Sequence, residues 1–209
     1  MRVAELSRRT GVSVASIKYY LREGLLPPGE RTSPNQAAYG EAHVRRLRLV
    51  RALIDVGGLS VAGTRDVLAA VDADEVALHS VLGATQDALV GGAVLTDDDA
   101  TERATKVLDD LVARRGWHVH ESNPGRRAAV EILATSERLG TEVLVNLLDT
   151  YAETLEALAR REVDAVVSRG RREDVVESAV LGTVLGAGLI SALRTMAHES
   201  ASAGLAGQG

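Results

Sequence analysis

The apolar positions of the first third of the chain recur at helical spacing and are interrupted by glycine. Val3-Ala-Glu-Leu-Ser-Arg-Arg9 predicts a short helix. Gly11 predicts a turn, because glycine reaches positive φ without a Cβ clash. Ser13 is placed to cap a second helix by accepting a bond from a free N–H in its first turn, and Gly24 is placed to stop it. At about 100° per residue, Val14, Ile17, Tyr20 and Leu21 share one arc of that helix. Ala15, Lys18, Tyr19 and Arg22 share the opposite arc. Helix, tight turn and helix make a helix-turn-helix candidate. By spacing alone, an ordinary helical hairpin explains the pattern as well.

Three prolines between Pro27 and Pro34 oppose helix and predict an exposed, turn-rich loop. Residues 40–56 return to helical period, with Val44, Leu47, Val50 and Ile54 as the apolar stripe. Arg45 and Arg48 share another face, with Arg46 nearby; they suit phosphate contact or simply a solvated face. Gly57-Gly58 turns the chain, Ser60 can cap, and residues 61–71 continue as helix. Residues 73–92 predict another helix on Val76, Leu78, Val81, Leu82 and Leu89. Its heptad signal is poor, so a two-stranded coiled coil and packing within one subunit both remain open.

Beyond the joint at Gly91-Gly92, Thr96 is expected to cap a helix whose first turn carries Asp97, Asp98 and Asp99. Its predicted buried face is Ala100, Ala104, Val107, Leu108, Leu111 and Val112. Gly116 should end it. Asn123 should cap the next helix, with Pro124 at its first position. Helices are expected over residues 124–139, about 141–169 and about 172–199, separated by Gly140 and Gly170. The tail from Ala201 to Gly209 should fray.

Composition narrows the function. The 209 residues contain no cysteine, which excludes disulfides, thiolate metal sites and cysteine redox sensing. The start of the chain lacks an apolar signal core. The apolar run 178–193 looks too short for a membrane span, so a soluble cytoplasmic protein without membrane partners is expected. The net charge of −5 hides an asymmetry: residues 1–51 carry ten Arg/Lys against four Asp/Glu, whereas the remainder carries fourteen against twenty-five. A basic head on an acidic body fits nucleic-acid binding by the head. Two cations, a small residue and an aromatic hydroxyl on one helix face suit the major groove.

The motifs of residues 2–72 resemble the DNA-binding domain of the MerR family of bacterial transcription regulators. The resemblance is carried by Thr10-Gly11-Val12-Ser13, Lys18-Tyr19-Tyr20, Gly24-Leu25-Leu26-Pro27, Tyr39, the helix containing Leu47, and Gly57-Gly58-Leu59-Ser60. It implies that residues 25–39 form a wing against the DNA backbone. It also implies a homodimer on a pseudo-palindromic operator of double-stranded DNA, with RNA polymerase as partner at the promoter. The expected DNA-binding set is Ser13, Ala15, Ser16, Lys18, Tyr19, Arg22, Arg31, Tyr39, Arg45 and Arg48. Two departures stand out. Lysine stands at position 18 where the family has arginine, which keeps the charge but loses the bidentate fork. The wing reads Ala37-Ala38-Tyr39 where the family has Arg-x-Tyr, so one phosphate contact is missing and Arg31 is the candidate to replace it.

Other chemistry is weak. His118 and His120 flank Val119 beside Trp117, but no third metal ligand stands at motif spacing, and no metal or cofactor is expected. His79 and His198 are isolated and read as structural. Gly182, Gly186 and Gly188 lie in an apolar helix and would allow close packing within the subunit, a dimer interface or a ligand. No hydrolase, P-loop or dinucleotide pattern occurs, so no catalytic residue is assigned and the chain is not expected to be an enzyme. The expected fold is mainly α: a winged helix-turn-helix head over residues 1–72, a linker or dimerisation helix over 73–93, an all-helical effector or dimerisation domain over 94–200, and a tail over 201–209. The functional expectation is a dimeric, sequence-specific regulator that responds to a small organic effector. The alternative is a helical small-molecule-binding or sequestering protein with a vestigial head.

Overall fold

A computed structural model describes residues 1–33, 36–73, 78–90, 95–167 and 172–206. Among these the chain forms nine α-helices and one two-stranded sheet, a mainly α fold. The order is α1 (Val3–Thr10), α2 (Val14–Arg22), β1 (Glu30–Ser33), β2 (Gln36–Ala38), α3 (Glu41–Arg51), α4 (Val61–Asp72), α5 (Leu78–Val90), α6 (Asp99–Arg115), α7 (Pro124–Arg138), α8 (Val143–Val167) and α9 (Arg172–Ala206). A π-helical segment, Ala52–Val56, continues α3.

Local signals set most helix ends. Gly11 has φ 70°, and its N–H donates to the Ser7 carbonyl. Ser13 Oγ accepts from Ser16 N at 3.0 Å, and Ser60 Oγ accepts from Gly63 N at 3.0 Å. Asn123 Oδ1 accepts from Arg126 N at 3.2 Å, ahead of Pro124. The expected cap at Thr96 is displaced: α6 is capped by Asp98, whose Oδ1 accepts from Thr101 N at 2.9 Å. Asp98 wins because Arg138 of α7 also pairs with its carboxylate, at 3.0 Å from Nε to Oδ2, so one side chain satisfies the helix end and a tertiary contact. The last helix, α9, runs to Ala206, beyond the end near residue 199 expected from the sequence.

Three apolar cores organise the molecule. The first joins Leu6, Val12, Ile17, Leu26, Tyr39, Val44 and Leu47 beneath α1, α2 and the hairpin. The second joins Leu25, Leu49, Val50, Leu53, Leu59, Val67 and Leu68 to Val180 and Val184 of α9. The third closes α6, α7 and α8 over Leu108, Leu111, Val130, Leu133 and Ala152, with Trp117 packed against it. The helix α3 with its π extension is therefore buried on two sides. That is why Leu49 and Leu53 are buried while Ile54, expected on the stripe, is only half-buried.

The cores do not follow chain order. Val180 and Val184 return from far along the chain to pack on the π segment and α4. Gly57 makes this approach possible: a Cβ there would collide with Val184 Cγ1 and lie 2.6 Å from the Leu53 carbonyl oxygen. The helix α5 packs against α4, α7 and α9 of its own chain. Leu89 joins the second core. Val76, Gly91, Gly92 and Gly170 lie outside the described residues, as do the side chains of Leu78, His79, Val81 and Leu82. Within α9, Ser178–Ala203 is 26 residues long and, by length and composition, apolar enough to cross a membrane. The apolar run is thus longer than the 178–193 stretch read from the sequence.

Candidate nucleic-acid interface

The head positions its cations by two kinds of local order. Ile17, fully buried, pins α2 to the first core and turns the opposite face outward. Ala15, Lys18, Tyr19 and Arg22 are all exposed on that face. The Arg22 guanidinium lies 5.9 Å from the centre of the Tyr19 ring, within cation–π range. The Tyr19 and Tyr20 rings are tilted against each other at 6.0 Å, so Tyr19 is held between a cation and the edge of the core. Ser13 and Ser16 are spent on the helix start, with their hydroxyls 2.8 Å apart.

The wing forms beside this face. β1 and β2 pair antiparallel with Glu30 opposite Ala38 and Arg31 opposite Ala37. Backbone bonds between Met1 and Tyr39, both 2.8 Å, fasten the hairpin to the start of the chain. Gly29 is needed at the hairpin base, where a Cβ would lie 2.7 Å from the Ala38 carbonyl oxygen and 2.9 Å from the Tyr39 ring. An open groove between wing and α2 is lined by Arg2, Lys18, Arg31, Gln36, Ala37 and Tyr39, among others.

Directly opposed residues of an antiparallel pair project from the same face, with Cβ atoms about 5 Å apart. Arg31 therefore stands on the wing face that Ala37 leaves without charge. Tyr39 contributes differently from Arg31. Its ring is nine-tenths buried in the first core and meets His43 edge-on at 5.1 Å, so only part of it borders the groove. Arg2 and Gln36 were not singled out by sequence reasoning. The signal for Arg2 was its place immediately before α1; nothing in sequence spacing marks Gln36.

The remaining head cations divide into two groups. Arg9 pairs with Glu41, joining α1 to α3. This bond holds the Glu41 carboxyl below its usual range, with desolvation acting against it. Arg46 donates to the Leu25 carbonyl at 3.0 Å and to Asp72 Oδ1 at 2.8 Å, tying α3 to α4. Arg51 donates to Asp55 at 2.8 Å. These three are structural. By contrast Arg2, Arg8, Lys18, Arg22, Arg31, Arg45 and Arg48 form no ion pair among the described residues, and Arg45 and Arg48 are exposed on α3. Unneutralised cations on recognition helix, wing and third helix make a surface that can hold a polyanion.

Elsewhere, His118 is exposed and His120 Nδ1 lies 2.8 Å from Ser122 Oγ. Among the described residues no three His, Asp or Glu side chains gather as a metal site.

Comparison with known proteins matches this geometry to a family. Residues 1–71 fit the model of the MerR HTH family regulatory protein. The chain is 40% identical over 50 residues to the HTH-type transcriptional regulator ZntR homolog of Haemophilus influenzae, covering 24% of this chain and 37% of that one. It is 34% identical over 74 residues to the mercuric resistance operon regulatory protein of Bacillus cereus, covering 35% of this chain and 55% of that one. The chain thus spans about half the length, or less, of these curated relatives. A solved structure extends the likeness to the whole molecule. The crystal structure of the "putative transcriptional regulator SCO5550" from Streptomyces coelicolor A3(2) superposes with TM-score 0.73 at 40% identity, covering 97% of this chain and 96% of that one. The match of the head and the full-length likeness agree, and the chain belongs to the MerR family of helix-turn-helix regulators.

Proposed function

We propose that this chain is a sequence-specific transcription regulator that binds double-stranded promoter DNA as a homodimer, and that it is not an enzyme. The observation that carries the reading is the exposed face of Ala15, Lys18, Tyr19 and Arg22, with Lys18 sharing a groove with the unpaired Arg31 of the wing, and exposed, unpaired Arg45 and Arg48 on α3. Lys18 and Arg22 read base edges in the major groove, while Arg31, Arg45 and Arg48 hold phosphates. Ser13, Ser16 and Tyr39 position these groups and border the backbone path. Residues 1–72 do the reading, and residues 94–200 serve dimerisation and sensing. Pairing two heads would set two short recognition helices on successive major-groove faces of the operator. RNA polymerase is the partner that family membership suggests at the promoter.

The sensing part is proposed to take a small organic effector. Support comes from a groove of about 300 Å³ between α7 and α8, lined by Ile132, Thr135, Leu139, Leu144 and Glu131. Glu131 Oε2 is buried there without a hydrogen-bond partner. The other oxygen, Oε1, is paired with Arg138 at 3.1 Å and accepts from Thr135 at 3.2 Å, so an apolar molecule carrying one hydrogen-bond donor for Oε2 fits that chemistry.

Selection of bound fragments from the source genome tests the central reading. The expected result is a pseudo-palindromic site whose affinity falls steeply with salt. Failure to enrich any sequence, with binding insensitive to salt, overturns it. A thermal-shift screen of apolar amines against the native chain and Glu131→Gln tests the effector. Amine-dependent stabilisation lost in the variant supports the site; no shift across the screen rejects it.

A further inference from the structure

The groove between wing and α2 holds more positive charge than recognition helix and hairpin supply. Among the described residues three cations line it and no carboxylate does: Lys18 from α2, Arg31 from β1, and Arg2 from the segment ahead of α1. The hairpin's one carboxylate, Glu30, stands opposite Ala38. It adjoins Arg31 along the strand, so it projects from the other face. Three like charges around one groove repel one another in the free chain, and an anion seated between them removes that repulsion.

Lys18 and Arg31 already have work in the reading of α2 and wing. Arg2 does not, and the fold holds its backbone from both ends. On one side Met1 exchanges two backbone bonds with Tyr39, each 2.8 Å, as a hydrogen-bonded pair of an antiparallel ladder does. On the other, the Arg2 carbonyl accepts from Glu5 N at 3.0 Å and from Leu6 N at 2.9 Å, which starts α1. The Arg2 side chain takes no part in that cap. It is exposed and forms no ion pair among the described residues. A fixed backbone carrying an uncommitted guanidinium needs only its side chain ordered on binding.

An exposed arginine is more often a solvated charge than a ligand, and the same helix provides the comparison. Arg9 is consumed by Glu41. Arg8 is exposed and unpaired like Arg2, but it does not line the groove. Position, not charge alone, sets Arg2 apart.

We propose that Arg2 is a further phosphate-binding residue, holding a DNA backbone phosphate seated in this groove beside Arg31. The proposal rests on the DNA-binding reading above and adds a contact from outside helix-turn-helix and wing. A guanidinium presents a fork of N–H donors that matches phosphate oxygens. A phosphate contact carries no base information, so Arg2 sets affinity and register and not the choice of sequence.

The test titrates the full-length chain with a selected operator duplex and with an unrelated duplex over a series of salt concentrations. Arg2→Ala should weaken both by roughly eightfold near 0.1 M salt and flatten the log–log slope by about 0.9, the value for one phosphate contact. Arg2→Lys should recover most of that slope, because the charge is kept. Arg8→Ala should keep the native slope. Melting temperatures should stay native in all three. Unchanged affinity and slope in Arg2→Ala overturn the assignment and leave the DNA-binding reading standing. Equal losses in Arg2→Ala and Arg8→Ala overturn it in favour of diffuse attraction by the whole head. A loss confined to the operator overturns it in favour of base readout. Arg2→Lys as weak as Arg2→Ala removes charge as the cause and overturns it too. A native chain that binds no duplex, or binds without salt dependence, overturns this contact and the DNA-binding reading together.

Discussion

Two surfaces of this molecule are incomplete by themselves, for opposite physical reasons. The outer face of α2, the wing and α3 carry cations that form no ion pair among the described residues. The outer stripe of α9 gathers leucines and a methionine that no core covers. The first invites a polyanion and should lose affinity as salt rises, because released counterions drive it. The second invites apolar contact, which should be indifferent to salt, or strengthened by excluded salts such as sulfate. The contrast also separates structural from functional charge. Arg9 and Arg46 look in sequence like Arg45 and Arg48, yet the former pair holds helices together.

The largest expected effect breaks the first surface alone. Lys18→Ala/Arg22→Ala should cost about 2–6 kcal/mol of specific DNA affinity, taking about 1–3 per base-reading side chain. Melting temperature and dimerisation should stay as in the native chain. A gel-shift titration with unchanged affinity for a selected operator would remove α2 from the readout.

Breaking the joint between the surfaces comes next. Gly57→Ala places a methyl against Val184 and the Leu53 carbonyl, and overpacking of this kind costs about 1–3 kcal/mol. Denaturant unfolding should report the loss. Because α9 must shift to make room, operator affinity should also fall while affinity for non-specific DNA is retained. Unchanged stability would mean that α9 does not seat on Gly57.

A smaller effect sharpens the division of labour within the first surface. Arg31→Ala should weaken all DNA sequences alike and flatten the salt dependence by about one phosphate contact, roughly 0.9 in log–log slope. Selective loss at particular bases, in a binding assay across mutated sites, would make Arg31 a reader and not a holder. Restoring the cation across the hairpin, with Ala37→Arg added, should recover the slope.

The smallest effect lies away from both surfaces. Asp98 is held well below the usual carboxylate range by Arg138, with help from the Thr101 backbone. A depressed native pKa adds stability above the unfolded value of about 3.8, and this is lost as pH falls further. Acid unfolding of Asp98→Asn should therefore differ from native near neutral pH and converge with it at the acid end. An unchanged difference down to strongly acidic pH would show that the pair contributes no proton-linked stability.

How much of this could be read along the chain depends on how local each determinant is. Ser13, Ser60, Asn123 and Gly116 announced their helix ends because a cap is settled within a turn of the backbone. The outward face of α2 followed from its period, and the order Gly-turn-helix-wing carried the family resemblance. Asp98 was missed in favour of Thr96 because both can cap, and the choice is made by Arg138, forty residues away. Leu49 and Leu53 escaped the apolar stripe because a period identifies one buried side, and α3 has two. The opposition of Arg31 to Ala37 required the hairpin register.

Local sequence, then, determined the elements, their caps and the charge of the head, since these rest on backbone conformation and residue type within a few positions. Tertiary structure alone decided which arginines remain unpaired, that Tyr39 turns largely into the core, and that α9 returns to pack on Gly57. It also decided that Leu189, Leu193 and Met196 stay exposed, because burial depends on which distant surface arrives first.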